Sequence, residues 1–129
     1  MVDSSAVVAV ILAEPDASAF SQALEAIEPL YMSAGTLVEI GTVLLHRKHG
    51  DTVERLFRLL ELTEIEIVPV SERHARIAIE AYMRFGKCTR HPAQLNYGDC
   101  FSYALAKSLD APLLFKGTDF SHTDIHSVL

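Results

Sequence analysis

Tryptophan is absent from this chain of 129 residues, cysteine occurs twice, and glycine and proline contribute only 6 and 5 residues. With half of the residues hydrophobic, this scarcity of turn formers excludes collagen-like, low-complexity and disordered chains, which lack the apolar surface to offset the entropy of ordering. The length suits one domain with its own core. Cys88 and Cys100 are too few for a disulfide scaffold or a cysteine-based zinc site and too far apart for a C-x-x-C redox pair, so they read as free thiols of a reducing compartment. The six histidines are scattered rather than set at ligand spacing. No apolar run approaches the ~20 residues that a membrane-spanning helix needs; the longest is Ala6–Ala13. That run does not read as a secretory signal either, because no Lys or Arg precedes it and Asp3 stands where the positive charge belongs. No membrane association and a cytoplasmic location are expected. Basic charge is short as well: 11 Lys and Arg against 17 Asp and Glu leave a net charge of −6, which argues against broad electrostatic adhesion to nucleic acid. An acidic chain that handles nucleic acid has to import positive charge, and a bound divalent ion does so locally.

Hydrophobic periodicity orders what is present. Met1 and Val2 form a very short strand that stops at Asp3, and Ser4–Leu12 follows as an apolar helix. Pro15 precedes a second helix over Asp16–Ile27, with Phe20, Leu24 and Ile27 on one face. Leu30, Tyr31 and Met32 make a second short strand, and Leu37, Ile40, Leu44 and Leu45 give helical spacing through Ser33–His49, ended by Gly50. Asp51 caps an amphipathic helix carrying Val53, Leu56, Phe57 and Leu60; Ile65–Val68 alternates as a strand; Ser71 opens a long helix to about Gly86. Residues 87–96 read as a loop around Pro92, Asn96 begins a helix over Tyr97–Ser108, and Ala111–Phe115 is a buried strand. His126–Leu129 is a short candidate edge strand. Short apolar strands alternating with helices predict α/β layers with a mainly parallel sheet covered on both faces.

In such sheets ligands bind beyond the carboxyl ends of the strands, and four acids map to that edge. Asp3 ends strand one, Glu39 lies in the helix after strand two, Asp99 in the first turn of the late helix, and Asp119 after the Leu-Leu-Phe strand. Each also has a purely structural reading. Asp3 caps the Ser4 helix; Glu39 completes a Thr36-x-x-Glu capping box if its helix starts at Thr36; Asp99 is the third residue after an Asn96 cap; Asp119 is a turn residue after Gly117. Jointly those readings are strained. Glu39 is flanked by Leu37, Val38 and Ile40, so its carboxylate faces packed structure, where burial without a partner is costly. Several carboxylates held together need a cation, and hard oxygen ligands suit Mg²⁺ or Mn²⁺.

Four ordered blocks, VDSSAVVAVILAEPDA, SAGTLVEIGTVL, HPAQLNYGDCFSYALAK and LLFKGTDFSHTDI, resemble the PIN-domain ribonucleases, and specifically the VapC toxins of bacterial toxin–antitoxin pairs, over nearly the whole chain. The resemblance implies a three-layer α/β/α sandwich, Mg²⁺- or Mn²⁺-dependent cleavage of RNA, a cognate VapB antitoxin and a homodimer. It carries the family's acidic quartet onto Asp3, Glu39, Asp99 and Asp119 as catalytic metal ligands, with Ser4 and Thr118 as hydroxyls beside the metal. Ser4 replaces the usual Thr, and Thr118 stands where the family often has Asn or Asp, which leaves Asp124 as a stand-in for the fourth acid. Arg84, Lys87 and Arg90, leading into the loop before Asp99, are candidate RNA contacts, whereas Arg47 and Lys48 suit the dipole at their helix end.

Two other readings compete. A receiver-like signalling domain fits the length, the α/β order and Lys116, but needs a phosphoacceptor Asp after the central strand, where the chain has Ser71 and Glu72. A catalytically silent PIN-like binding module would be expected to lose one or more of the acids, and all are present. For the antitoxin, the apolar Ala6–Ala13 helix and the stripe Val53, Leu56, Phe57 and Leu60 predict a groove that accepts an amphipathic helix.

Overall fold

The computed structural model describes residues 1–47 and 50–129; the expected helix end at His49 and the role given to Lys48 lie outside the described residues. Regular strand pairing is brief. β1 (Tyr31–Ser33) and β2 (Glu66–Val68) run parallel, with Tyr31 opposite Glu66 and Ser33 opposite Val68. Single parallel bridges, Val2 to Leu114 and Leu113 to Ser127, extend the sheet. The Val2 N–H donates to the Tyr31 carbonyl at 2.9 Å and the Asp3 N–H to the Leu114 carbonyl at 2.9 Å. The order across the sheet is therefore β2, β1, residues 1–3, residues 113–115 and residues 126–128. The two outlying segments are shorter than their sequences predict, reduced to one or two bridging residues each. Val2, Met32, Leu113 and Leu114 are almost wholly buried, as expected of parallel segments covered on both faces.

Six α-helices among the described residues supply the cover: α1 (Ser4–Ile11), α2 (Ala17–Ala26), α3 (Ala34–Arg47), α4 (Thr52–Leu62), α5 (Glu72–Phe85) and α6 (Asp99–Leu109). One cluster of buried residues joins α1 to α4 and β1 through Val7, Leu24, Met32, Ile40 and Leu56; the other gathers α5 and α6 around Phe85, Leu95, Tyr103 and Leu113. The result is the predicted α/β/α layering. Because Ala6, Val7, Val8, Ala9 and Ile11 are all buried, α1 is a core helix and offers no groove. That corrects the expected antitoxin surface: an all-round apolar helix is spent on the interior, and Leu56 of α4 is buried with it, while Phe57 stays exposed.

Caps and tethers fix the helix starts. Ser71 caps α5, its Oγ accepting from the His74 N–H at 3.2 Å while the His74 ring accepts from the Ser71 N–H. Asp51 occupies the cap position of α4 without a side-chain bond to the helix. α3 starts at Ala34, two residues before Thr36, so the Thr36-x-x-Glu39 capping box is not formed. Thr36 is instead wholly buried, its hydroxyl bonded to that of Ser102 on α6 at 2.9 Å. The segment expected as a plain loop carries a 3₁₀ turn at Lys87–Thr89 and a bridge between Gly86 and Leu95, which closes the loop on itself before Asn96.

The Thr36–Ser102 bond ties together the two helices that carry Glu39 and Asp99. Thr36→Val keeps the shape but strands a buried hydroxyl, and is expected to cost about 1–3 kcal/mol in urea unfolding. Thr36→Val combined with Ser102→Ala is expected to recover most of that loss; equal destabilisation by the single and double variants would show that the bond is not the tether.

Candidate active site

Parallel connectivity brings the carboxyl end of each sheet segment to one edge, and the four acids meet there in different local settings. Asp3 caps α1: its Oδ2 accepts from the Ser5 N–H at 2.9 Å and from the Ser5 hydroxyl at 2.6 Å. Its Oδ1 is buried and has no hydrogen-bond partner. Glu39 comes from α3, its carboxyl bonded to the Ser4 hydroxyl, while its Oε2 is also buried without a partner. Asp99 opens α6 in a reciprocal arrangement. Its Oδ2 accepts from the Asn96 N–H at 2.6 Å, and the Asn96 side-chain oxygen accepts from the Asp99 N–H at 3.0 Å. Asp119 follows the 113–115 segment at the exposed rim. The structural readings of Asp3 and Asp99 are thus true, yet each cap uses only one carboxylate oxygen.

All four acids line one cavity of about 220 Å³, together with Ser4, Ser5 and Asn96. Larger grooves are mainly apolar, and one of them adjoins the site at Glu39 and Gly98. Burial pushes the Asp99 carboxyl up to about 7; the Asn96 N–H opposes this, and the charges of Asp3, Glu39 and Asp119 add to it. Burial likewise raises Glu39, against the Ser4 hydroxyl and with the charge of Asp3. Asp99 therefore feels the other three acids, and Glu39 feels Asp3. Cys100, next in sequence, is no nucleophile: its thiol donates to the Asn96 carbonyl at 3.2 Å, and burial and Asp99 push it up to about 12.

The remaining candidates separate. Ser4 lines the cavity and Thr118 does not. Asp124 lies outside it, accepting from the Tyr103 hydroxyl at 2.6 Å and pairing with Lys107 and Arg84 at 3.4 and 3.6 Å, so Asp119 is the acid that joins the other three. Arg84 also stacks over the Phe85 ring, Lys87 and Arg90 are exposed, and none of these three cations lines the cavity. Arg47 and Lys116 do. The sequence reading gave the first to the helix dipole and weighed the second only for a signalling domain.

Two further residues were missed. Ser5 joins Asp3 to the sheet, since its hydroxyl also accepts from the Lys116 N–H at 2.9 Å. Gly98 has an ordinary φ of −66°, so it is needed for space: a Cβ there would run into the Glu39 carboxylate. A glycine directly before an acid in the first turn of a helix was the available signal.

A profile of the PIN domain matches residues 1–125. Over 129 residues the chain is 43% identical to a Mycobacterium tuberculosis protein named Ribonuclease VapC28, covering 100% of this chain and 97% of that relative. A second protein of that organism, Ribonuclease VapC30, is 44% identical over 128 residues, 99% of this chain and 97% of the relative. The crystal structure of Mycobacterium tuberculosis VapC20, described as a sarcin–ricin loop cleaving toxin, superposes with a TM-score of 0.80 over 98% of this chain and 96% of that one, at 18% identity, a likeness of fold.

The raised acids set a pH dependence in the metal-free protein. Asp99 holds its proton in the folded state from its ordinary 3.8 up to about 7, so its contribution to stability is present at low pH and lost as pH rises through about 7. In a chelator at pH 8, Asp99→Asn is expected to melt above the parent, with the gap closing as pH falls toward 4. A variant that melts below the parent at pH 8 would mean that Asp99 acts only as a cap.

Proposed function

The chain belongs to the PIN-domain family, among the VapC ribonucleases, and from that premise we propose that it is a metal-dependent endoribonuclease, the toxin of a VapBC-type pair. The carrying observation is the pair of buried, partnerless oxygens, Asp3 Oδ1 and Glu39 Oε2, in a cavity shared by four acids. A buried carboxylate oxygen without a partner is costly, and a hard divalent cation is the partner that suits it. As they stand, no three His, Cys, Asp or Glu side chains among the described residues are grouped closely enough to hold an ion. The proposal therefore rests on the two free oxygens, since Mg²⁺ keeps several waters and can be held by one or two carboxylates plus substrate phosphate. Membership sets aside the receiver-like reading, and the intact quartet argues against a silent PIN module.

Asp3 and Glu39 would hold the ion through their free oxygens, with Asp99 and Asp119 completing the shell directly or through water. When bound, Mg²⁺ or Mn²⁺ supplies positive charge to the scissile phosphate and lowers the pKa of the attacking water. Ser5 holds Asp3 and Asn96 holds Asp99, so both carboxylates are oriented before metal arrives. Gly98 keeps the space that Glu39 occupies. Asp99, pushed up to about 7, takes up a proton readily near neutral pH when no cation is present.

For partners, a second copy fits the face where α3, α5 and α6 meet. Two apolar grooves adjoin there and share Tyr97 and Phe101, and the face exposes Met83 at 71% and Tyr97 at 79%, with Val38 and Ile79. So large an exposed apolar patch marks an interaction surface. The antitoxin is left with α4, where Phe57 stands exposed beside Val53 and Arg58. No helix among the described residues is long and apolar enough to cross a membrane; a cytoplasmic location is part of the proposal.

Purified protein is expected to cleave bacterial RNA with Mg²⁺ or Mn²⁺ and to stop in excess EDTA; full activity in EDTA would overturn the metal mechanism. Gly98→Ala displaces a flexible carboxylate rather than backbone, so it is expected to fold normally and lose roughly 10- to 100-fold in Mg²⁺ affinity, read by calorimetry. For the dimer, Met83→Glu is expected to halve the mass seen in sedimentation; a parent that is monomeric at high concentration would remove the interface.

A further inference from the structure

Among the described residues, Arg47 and Lys116 are the basic side chains lining the acidic cavity, and both pair with carboxylates outside it. Lys116 Nζ lies 2.7 Å from Glu14 Oε2 and 2.7 Å from Asp16 Oδ1, while Arg47 Nη1 lies 3.3 Å from Glu14 Oε1. Glu14, in the turn between α1 and α2, thus takes one cation on each oxygen. The backbone of Lys116 is anchored at the site's root, its N–H donating to the Ser5 hydroxyl that also holds Asp3. The Lys116 side chain keeps a third of its surface exposed and that of Arg47 more than half, so both can reach a strand at the mouth.

We infer that Lys116 and Arg47 form the phosphate clamp of the site, receiving the RNA backbone at the cavity mouth, and that Glu14 and Asp16 hold them off the metal-binding acids until RNA arrives. This rests on the ribonuclease reading. Two bases and two acids make the mouth neutral in the resting state. Inside, four carboxylates with one divalent ion still carry an excess of negative charge, and an RNA phosphate adds more. Three other cations are engaged elsewhere: Arg84 and Lys107 with Asp124, and Arg76 with Glu72. An ammonium left free beside four carboxylates would fall onto them and compete with the metal; the yoke through Glu14 and Asp16 prevents that.

The clamp is tested on the full chain with Mg²⁺, by anisotropy of a labelled single-stranded RNA of mixed sequence across salt concentrations, beside cleavage of total bacterial RNA. Lys116→Gln and Arg47→Gln are each expected to weaken RNA binding, and each to flatten the log–log salt dependence by about 0.7 for the lost phosphate contact, while Lys116→Arg restores the slope. Glu14→Gln combined with Asp16→Asn is expected to weaken Mg²⁺ binding measured with the metal alone, as Lys116 turns onto the acids. If Lys116→Gln and Arg47→Gln keep the parent's affinity and slope while the parent cleaves RNA, the clamp is wrong and the ribonuclease reading stands. Unchanged Mg²⁺ affinity in the Glu14 and Asp16 variant removes the holding role. A parent that neither binds nor cleaves RNA sinks the ribonuclease reading and the clamp with it.

Discussion

Asp3, Glu39, Asp99 and Asp119 repel one another across a cavity of about 220 Å³, and much of the surrounding architecture serves to hold them there. Close carboxylates in a partly dry site resist joint ionisation, so left to relax they would turn outward into water. Three devices oppose this. Ser5 grips Asp3 through hydroxyl and backbone, Asn96 and Asp99 bind each other reciprocally, and Glu39 is confined between Ser4 and the bare Cα of Gly98. The buried Thr36–Ser102 bond sets α3 against α6 and so fixes the separation of Glu39 from Asp99. Each local bond leaves part of its carboxylate unspent, and the unspent oxygens face the same space.

The sheet contributes direction more than strength. Only three residues of β1 pair with three of β2, and the other segments meet through single bridges. Stability therefore comes from burying apolar residues on both faces, with α1 sunk whole into the core. What parallel pairing adds is polarity: residues 1–3, β1 and residues 113–115 all end at one edge, and the next residue of each begins a turn or a helix. An acid placed just past such an end arrives at the shared cavity whichever segment it follows.

That polarity explains what was legible in the sequence. Alternating short apolar runs and helical periodicity are local signals, so the layer order and the helices were readable, and Asp3 and Asp119 could be placed at strand ends, and Glu39 and Asp99 in the helices, by counting. Capping logic read Asp3 correctly but treated cap and ligand as rivals, whereas a carboxylate has two oxygens and one suffices for a cap. It misread Glu39, because the Thr36 hydroxyl that resembled a cap is buried against Ser102 66 residues away. The apolar α1 resembled a groove because periodicity cannot distinguish a helix covered by its own chain from one waiting for a partner. Arg47 and Lys116 were given other roles and Glu14 none for the same reason: their meeting depends on the α1–α2 turn approaching both the end of α3 and the residue after the 113–115 segment, which no spacing along the chain encodes.

The same contacts reconcile an acidic protein with an acidic substrate. A net charge of −6 is unfavourable for RNA at long range, and within about 10 Å at 0.1 M salt only nearby charges act with full effect. What matters is therefore the sign of the charge at the mouth and its freedom to rearrange. Arg84 and Lys107 meet Asp124 away from the cavity, and Arg76 meets Glu72 on the outer face of α5, so these cations add little to the approach of a phosphate. Lys116 and Arg47 share the cavity with the four acids, and their ion pairs reach solvent, where the cost of exchanging one anion for another is small. A phosphate that takes both from Glu14 loses little in the exchange and gains the charge beneath it once a divalent ion is bound. Without the ion the same phosphate meets four carboxylates, and the balance reverses. Metal and RNA are then expected to bind cooperatively, each raising the other's affinity by the same factor. RNA affinity measured with and without Mg²⁺ checks this, and an affinity indifferent to Mg²⁺ would place the bound strand away from the four acids.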